Sequence, residues 1–274
     1  MPQSLPETVR AMWLSEILTA NSLVWRWREI CETKEMTAAV IDASAQAQIW
    51  LFDFDNTLAA LEKQVDWTAS RRDLERFLRA KGIDDDLFRE FPSRNLPLYD
   101  ALLLRTLELS RDARNLIRQA SDIIESYELQ GVTDAAPLSG AIELLLALSA
   151  RGKRIAIVTS NSTRTVARWL TAHRLQVAAV VGRDSLLPLK PAPAMVSRAL
   201  ELIGGAAAQT VLVGDSEADV RAANSAHVGF LGIAANLEAR TGLKALDVSE
   251  IFDSPADLAR HFGLTGQVDG RPPT

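Results

Sequence analysis

Cysteine is almost missing from this sequence: Cys31 is the only one in 274 residues. No disulfide can form within the chain, which fits a reducing compartment. Histidine is scarce as well. His173, His227 and His261 stand in separate segments with no metal-ligand spacing, so structural roles are expected of them. No uninterrupted apolar run is long enough to span a bilayer. The opening "MPQSLPETVRAMW" has no basic stretch followed by an apolar one and does not read as a secretory signal. The cytoplasm is therefore the expected compartment, and no membrane partner is expected. A net charge of −5 without a basic stripe argues against nucleic acid. Signatures of the GxSxG, HExxH, Walker A and GxGxxG types are missing too, as are internal repeats.

What is present is ordinary globular material, 47% hydrophobic and 24% charged. It is enough for at least one full core, and the length suggests about two domains. Residues 1–47 read as a helical N-terminal extension. Val9, Met12, Trp13, Ile17 and Leu18 recur at helical spacing, and Leu23, Val24, Trp25 and Trp27 follow. Trp13, Trp25 and Trp27 near Arg26 and Arg28 suit packing on the rest of the chain, or a homodimer contact. "QIWLFDF" (48–54) is then a buried strand ending in aspartates. From 66 to 137 the pattern is helical, with Thr68 as a cap for "TASRRDLERFLRAKG" and a stripe of Leu116, Ile117, Ala120, Ile123, Ile124 and Tyr127. "EFPSRNLPLYD", with two prolines, reads as a loop or a helix break.

After Pro137, strands and helices alternate: "RIAIVTSN", "VAAVVGRD", "TVLVGDS" and "VGFLGI" are strands separated by helical runs. Strict alternation implies a parallel sheet covered on both faces. The expected fold is α/β, a three-layer Rossmann-like core formed by residues 48–65 and 138–274. Residues 66–137 form an inserted α-helical cap.

Ligands of an open parallel sheet bind at the carboxyl ends of its strands. Those ends carry Asp53 and Asp55, then Thr159, Ser160 and Asn161, and then Asp215, with Asp219 four residues on. Lys190 opens "KPAPAMV". Four carboxylates on one edge repel one another unless a counter-charge is present. A divalent cation with oxygen ligands meets that need, and Mg²⁺ suits it because it also takes phosphate oxygens. Lys190 adds a second positive charge, and the helix N-termini after Asn161 and Asp215 add backbone donors for an anion. Taken singly these residues have local readings: Asn161 as a helix cap, Asp219 as a carboxylate favoured by the helix dipole.

"DFDNTL", "IVTSN", "LKPAP" and "VLVGDSEAD" resemble, in order, the four motifs of the haloacid dehalogenase superfamily, and the flanking helices resemble its phosphoglycolate-phosphatase-like branch. The resemblance covers residues 48 to about 263. It implies a Mg²⁺-dependent phosphatase acting on a small phosphorylated metabolite. Asp53 would be the nucleophile that forms an aspartyl-phosphate, and Asp55 the general acid and then base. Thr159, Ser160 and Asn161 would hold phosphate, and Lys190 would bridge Asp53 and the phosphate. Asp53, the backbone carbonyl of Asp55 and Asp215 would hold Mg²⁺, with Asp219 orienting Lys190 or the metal's waters. Arg94 and Asn95, in the proline-bounded cap loop, are the candidate substrate contacts. Dehalogenases of the superfamily lack an acid at the Asp55 position, so its presence favours phosphate esters. A sugar-phosphate mutase and a non-catalytic binding protein on the same shell are the alternatives. The sequence departs from the family at "AALEKQVDW" after the first motif, at Ala226-His227 where Ala-Gly is usual, and in the N-terminal extension.

Overall fold

The run Ile-Trp-Leu-Phe has no polar position in it, and the structure puts it where both faces are covered. The computed structural model describes residues 47–106 and 111–264. The expected N-terminal helices, Cys31 and the dimer contact lie outside the described residues.

Strand β1 (Ile49–Phe52) is the fully buried centre of a six-stranded sheet. Its companions are β2 (Arg154–Val158), β3 (Ala179–Val181), β4 (Thr210–Gly214), β5 (Gly229–Ile233) and β6 (Ile251–Phe252). The order is β3-β2-β1-β4-β5-β6, and all pairs are parallel. Ile49 pairs with Arg154 on one side and Thr210 on the other, which brings the carboxyl ends of β1, β2 and β4 level. This order reverses beside β1, where an open α/β sheet forms its ligand crevice.

Alternate residues of β1 feed two cores. Ile49 and Leu51 join one apolar cluster, and Trp50 and Phe52 join the other. The first cluster packs on α7 (Ala194–Ile203) and α8 (Glu217–Ser225), through residues such as Met195, Val196 and Val220. The second packs on α5 (Ala141–Ala150), α6 (Thr163–Ala172) and α10 (Pro255–His261), through Leu144, Trp169 and Leu258. This is the expected three-layer α/β arrangement. Helix α9 (Leu237–Lys244) and β6 complete it and are not among the elements the sequence pattern marks.

Between β1 and α5 the chain runs through α1 (Trp67–Ala80), α2 (Asp85–Glu90), α3 (Asn95–Thr106) and α4 (Arg111–Gly131). The cap of α1 is Asp66, whose carboxylate accepts from the N–H of Ala69 at 2.9 Å, and not Thr68. A carboxylate at that position serves the helix dipole better than a hydroxyl two residues further in. Helix α3 starts inside the segment expected to be a loop. Pro97 stands in its first turn, where its missing N–H costs no hydrogen bond.

His227 has φ of 57° at the turn before β5. Glycine takes this left-handed conformation freely, and histidine adopts it at a cost.

Candidate active site

Asp53 directly follows β1, and its N–H donates to the carbonyl of Val213 on β4. The sheet's own ladder therefore fixes the start of the "DFD" turn. Lys190 reaches in from the loop after β3. Its ammonium lies 2.5 Å from Asp53 Oδ1 and 2.5 Å from Asp219 Oδ1, and it donates to the Val158 carbonyl at 3.0 Å. The side chains of Lys190 and Asp219 are almost wholly buried.

Asp219 holds its place through a local device. Ser216 caps α8, and the two residues form a reciprocal capping box. Ser216 Oγ donates to Asp219 Oδ2 at 2.5 Å. Both carboxylate oxygens of Asp219 are thus engaged, one by Ser216 and one by Lys190. Gly214 makes room for this: a Cβ there would stand 2.5 Å from the Asp219 carboxyl carbon. Glycine ends β4 because the acid has to come this close.

Carboxylate oxygens of Asp53, Asp215 and Asp219 lie within 4.8 Å of one another. One ammonium does not neutralise three carboxylates. Burial pushes Asp53 up to about 6, although Lys190 pulls it down. Burial, and then the charges of Asp53 and Asp219, push Asp215 up to about 8. Burial works to lower Lys190, but the charges of Asp219 and Asp53 outweigh it and hold the lysine above its ordinary value. These shifts mark a site short of positive charge, and its donors are hard oxygens of the kind Mg²⁺ prefers. Asp53 and Asp215 have the free capacity to hold such an ion. Asp219 is committed to Lys190 and Ser216.

Asp55 stands apart from this cluster in its bonding. Its Oδ1 accepts from the N–H groups of Leu61 and Glu62, both at 2.9 Å. Burial raises it to about 7, with the Glu62 N–H working the other way. The segment after the first motif therefore folds back onto Asp55. Asn56 adds a bond to Glu62 at 2.9 Å.

The loop after β2 carries Thr159, Ser160 and Asn161. The Thr159 hydroxyl donates to Asn161 Oδ1 at 3.0 Å and accepts from the Asn161 N–H at 3.1 Å. The Asn161 amide nitrogen donates to Glu128 of α4 at 3.2 Å. Asn161 therefore does not cap α6; Ser162 does, accepting from the N–H of Thr165.

Arg94 and Asn95 part company. Arg94 is exposed, and its carbonyl accepts from Arg71 at 2.9 Å. Asn95 is buried at the start of α3 rather than in a loop, and its amide donates to Ser70 at 2.8 Å. Its Oδ1 and the Nη2 of Arg71 are both buried without a partner. A cavity of about 500 Å³ runs along α1, lined by Thr68, Arg71, Arg72, Glu75, Arg76 and Arg79. It shares no residue with the aspartate cluster.

Three charged groups outside the expected set also touch this region. Asp100 of α3 accepts from the N–H of Leu189, next to Lys190, at 2.9 Å. Glu128 and Arg183 form an ion pair of 2.7 Å with both side chains fully buried.

A family model described as haloacid dehalogenase-like hydrolase matches residues 50–233. The chain belongs to this family. Among its relatives is a phosphoglycolate phosphatase of Rhodospirillum rubrum, 28% identical over 224 residues, which are 78% of this chain and 90% of that one. A pyrophosphatase of Bacillus mycoides is 29% identical over 139 residues, 50% of this chain and 60% of its own. The crystal structure of a haloacid dehalogenase-like hydrolase from Bacteroides fragilis shares the fold, with a TM-score of 0.56 and 22% identity, covering 77% of this chain and 99% of that one. As a haloacid dehalogenase-like hydrolase, the chain gathers Asp53, Lys190, Asp215 and Asp219 at the carboxyl edge of its sheet. Among the described residues, no helix is long and apolar enough to cross a membrane.

Proposed function

We propose that this hydrolase is a Mg²⁺-dependent phosphatase that cleaves a small phosphorylated metabolite through an aspartyl-phosphate on Asp53. One observation carries the reading: a single ammonium, 2.5 Å from two buried carboxylates, with a third carboxylate beside them. Such a set calls for a hard dication, and the two cations together suit a phosphate dianion. Asp53, Asp215 and the carbonyl of Asp55 would hold Mg²⁺. When bound, Mg²⁺ would keep Asp53 and Asp215 ionised and would withdraw charge from the phosphoryl oxygens.

The chain's own groups supply the rest. Lys190 holds one oxygen of Asp53, which leaves the other to attack phosphorus. As the bond from phosphorus to the leaving oxygen breaks, Asp55 gives that oxygen its proton. A carboxyl raised to about 7 carries a proton often enough near neutral pH to do so. Ionised afterwards, Asp55 takes a proton from the water that hydrolyses the phosphoaspartate. Thr159, Ser160 and Asn161 hold the phosphoryl oxygens, for which the Thr159 hydroxyl and the Asn161 N–H turn from each other to the phosphate. Asp219 orients Lys190, and the exposed Arg94 stands as a substrate contact in the segment between β1 and α5, whereas Asn95 is buried against Ser70 and cannot reach a substrate as the chain stands.

The test is phosphate release from an aryl phosphate with Mg²⁺, followed by a screen of phosphorylated metabolites that includes phosphoglycolate and pyrophosphate. Wild type should turn over, and Asp53→Asn should lose at least about 10⁴-fold in kcat. Wild type that releases no phosphate from any of them with Mg²⁺, or an equally active Asp53→Asn, overturns the reading.

A further inference from the structure

The loop that follows β2 is shaped by two charged groups from elsewhere in the fold. Arg183 Nη1 donates to the Ser160 carbonyl at 2.8 Å, and the Arg183 N–H donates to the Asn161 carbonyl at 2.9 Å. Glu128 takes the other side of the same residues. Its Oε1 accepts from Asn161 Nδ2 at 3.2 Å, and its Oε2 accepts from the Ser162 N–H at 3.0 Å and the Thr165 hydroxyl at 3.2 Å. Glu128 and Arg183 close on each other through two contacts, of 2.7 and 3.3 Å. Arg183 also returns to α4, at the hydroxyl and the carbonyl of Ser121. Glu128, Arg183, Asn161 and Ser162 are all at most 4% exposed. Every residue from 160 to 162 is therefore held, and one of the two holders sits on the helix that returns from the segment between β1 and α5.

We infer that Glu128 is a positioning residue for phosphate: its carboxylate, clamped by Arg183, sets the backbone and side-chain geometry of residues 160–162, so that the docked end of α4 becomes part of the phosphate site. Packing alone does not need this chemistry. A buried ion pair is seldom the most stable way to fill a space, whereas its directional bonds fix one geometry for the groups around it. Holding a loop in one geometry acts on the ground state and the transition state alike, so its loss should appear mainly in KM and in phosphate affinity.

This inference rests on the proposed phosphatase reading. Its test uses the full chain with Mg²⁺ and reads three quantities for each variant: the melting temperature, KM and kcat with an aryl phosphate, and competitive inhibition by inorganic phosphate. Glu128→Gln keeps the shape but places a donor where Ser162 N–H or Thr165 needs an acceptor. It should raise KM and the phosphate inhibition constant about tenfold or more, with a smaller fall in kcat. Thr165→Val removes the hydroxyl's bonds to Glu128 and to the Ser162 hydroxyl, and no charge. It should keep the wild-type melting temperature within a few degrees and raise both constants about two- to fivefold.

Folded Glu128→Gln with wild-type KM and phosphate inhibition overturns the inference, whatever its melting temperature. If Glu128→Gln does not fold, Thr165→Val decides alone: unchanged constants overturn the inference, and raised constants support it. Wild type that neither turns over nor responds to phosphate overturns the phosphatase reading, and this inference with it. An active, phosphate-inhibited wild type with indifferent variants overturns this inference only.

Discussion

Two buried charge clusters stand on the same edge of the sheet, and they are built on opposite plans. Around Arg183 there is one guanidinium, one carboxylate and a complete set of hydrogen bonds to Ser121, Ser160, Asn161, Ser162 and Thr165. Around Lys190 there is one ammonium for three carboxylates, and two of those acids, Asp53 and Asp215, are pushed up to about 6 and 8. The first cluster satisfies itself. The second is left with more negative than positive charge, which the proposed Mg²⁺ would offset. An unbalanced buried site marks chemistry, and a balanced one beside it marks the frame that holds the chemistry in place.

Removing the cation from each cluster gives the sharpest contrast. Lys190→Met leaves the carboxylates crowded and strips one positive charge from the proposed phosphoryl site. Activity should fall by about 10³ or more in kcat. Added Mg²⁺ should still raise the melting temperature, because Asp53 and Asp215 remain. An active Lys190→Met enzyme would place the decisive charge elsewhere. Arg183→Met is the matching experiment on the balanced cluster. It leaves Glu128 buried and unpaired, which costs about 3–5 kcal/mol. Denaturant unfolding should show this loss as a lower midpoint. If Arg183→Met proves as stable as wild type, the pair is not the closed unit its geometry describes.

The two clusters also differ in how legible they are in the sequence. Asp53, Asp215 and the Thr159–Asn161 loop each follow an apolar run that is too continuous for a half-exposed strand. Parallel-sheet topology brings such ends together, so their convergence can be read from the residues alone. Glu128 and Arg183 lie 55 residues apart and meet only through the packing of α4 on the core. No local spacing encodes that pairing. A fainter signal does exist: Ile117, Ser121, Ile124 and Glu128 fall on one face of α4, and all four are buried. Polar residues on an apolar stripe ask for a partner, and here it is Arg183. Strand β6 is hidden for a simpler reason, since two residues are too few to show any alternation. Asn95 is hidden by its neighbours, because two prolines close by suggest a break. Pro97 instead opens a helix, and that helix buries Asn95.

A smaller effect probes the border between the clusters. Asp100 lies on α3, and its carboxylate accepts from the Leu189 N–H, one residue before Lys190. Burial raises it from 3.8 to about 6, with that N–H resisting. Between these values the folded chain binds more protons at Asp100 than the unfolded chain does. Stability from this group is therefore highest below about pH 4, falls as pH rises through about 6, and is flat above. Asparagine keeps the acceptor for Leu189 and has no charged form to bury. The stability of Asp100→Asn relative to wild type should then grow between pH 4 and 6, by up to about 2–3 kcal/mol. The acids around Lys190 titrate in both proteins, so their contribution largely cancels in the difference. Denaturant unfolding of the two proteins across that range measures it. Parallel curves would mean that the ionised carboxylate is as well solvated in the folded chain as in the unfolded one, and that Asp100 belongs to the surface rather than to the edge of the site.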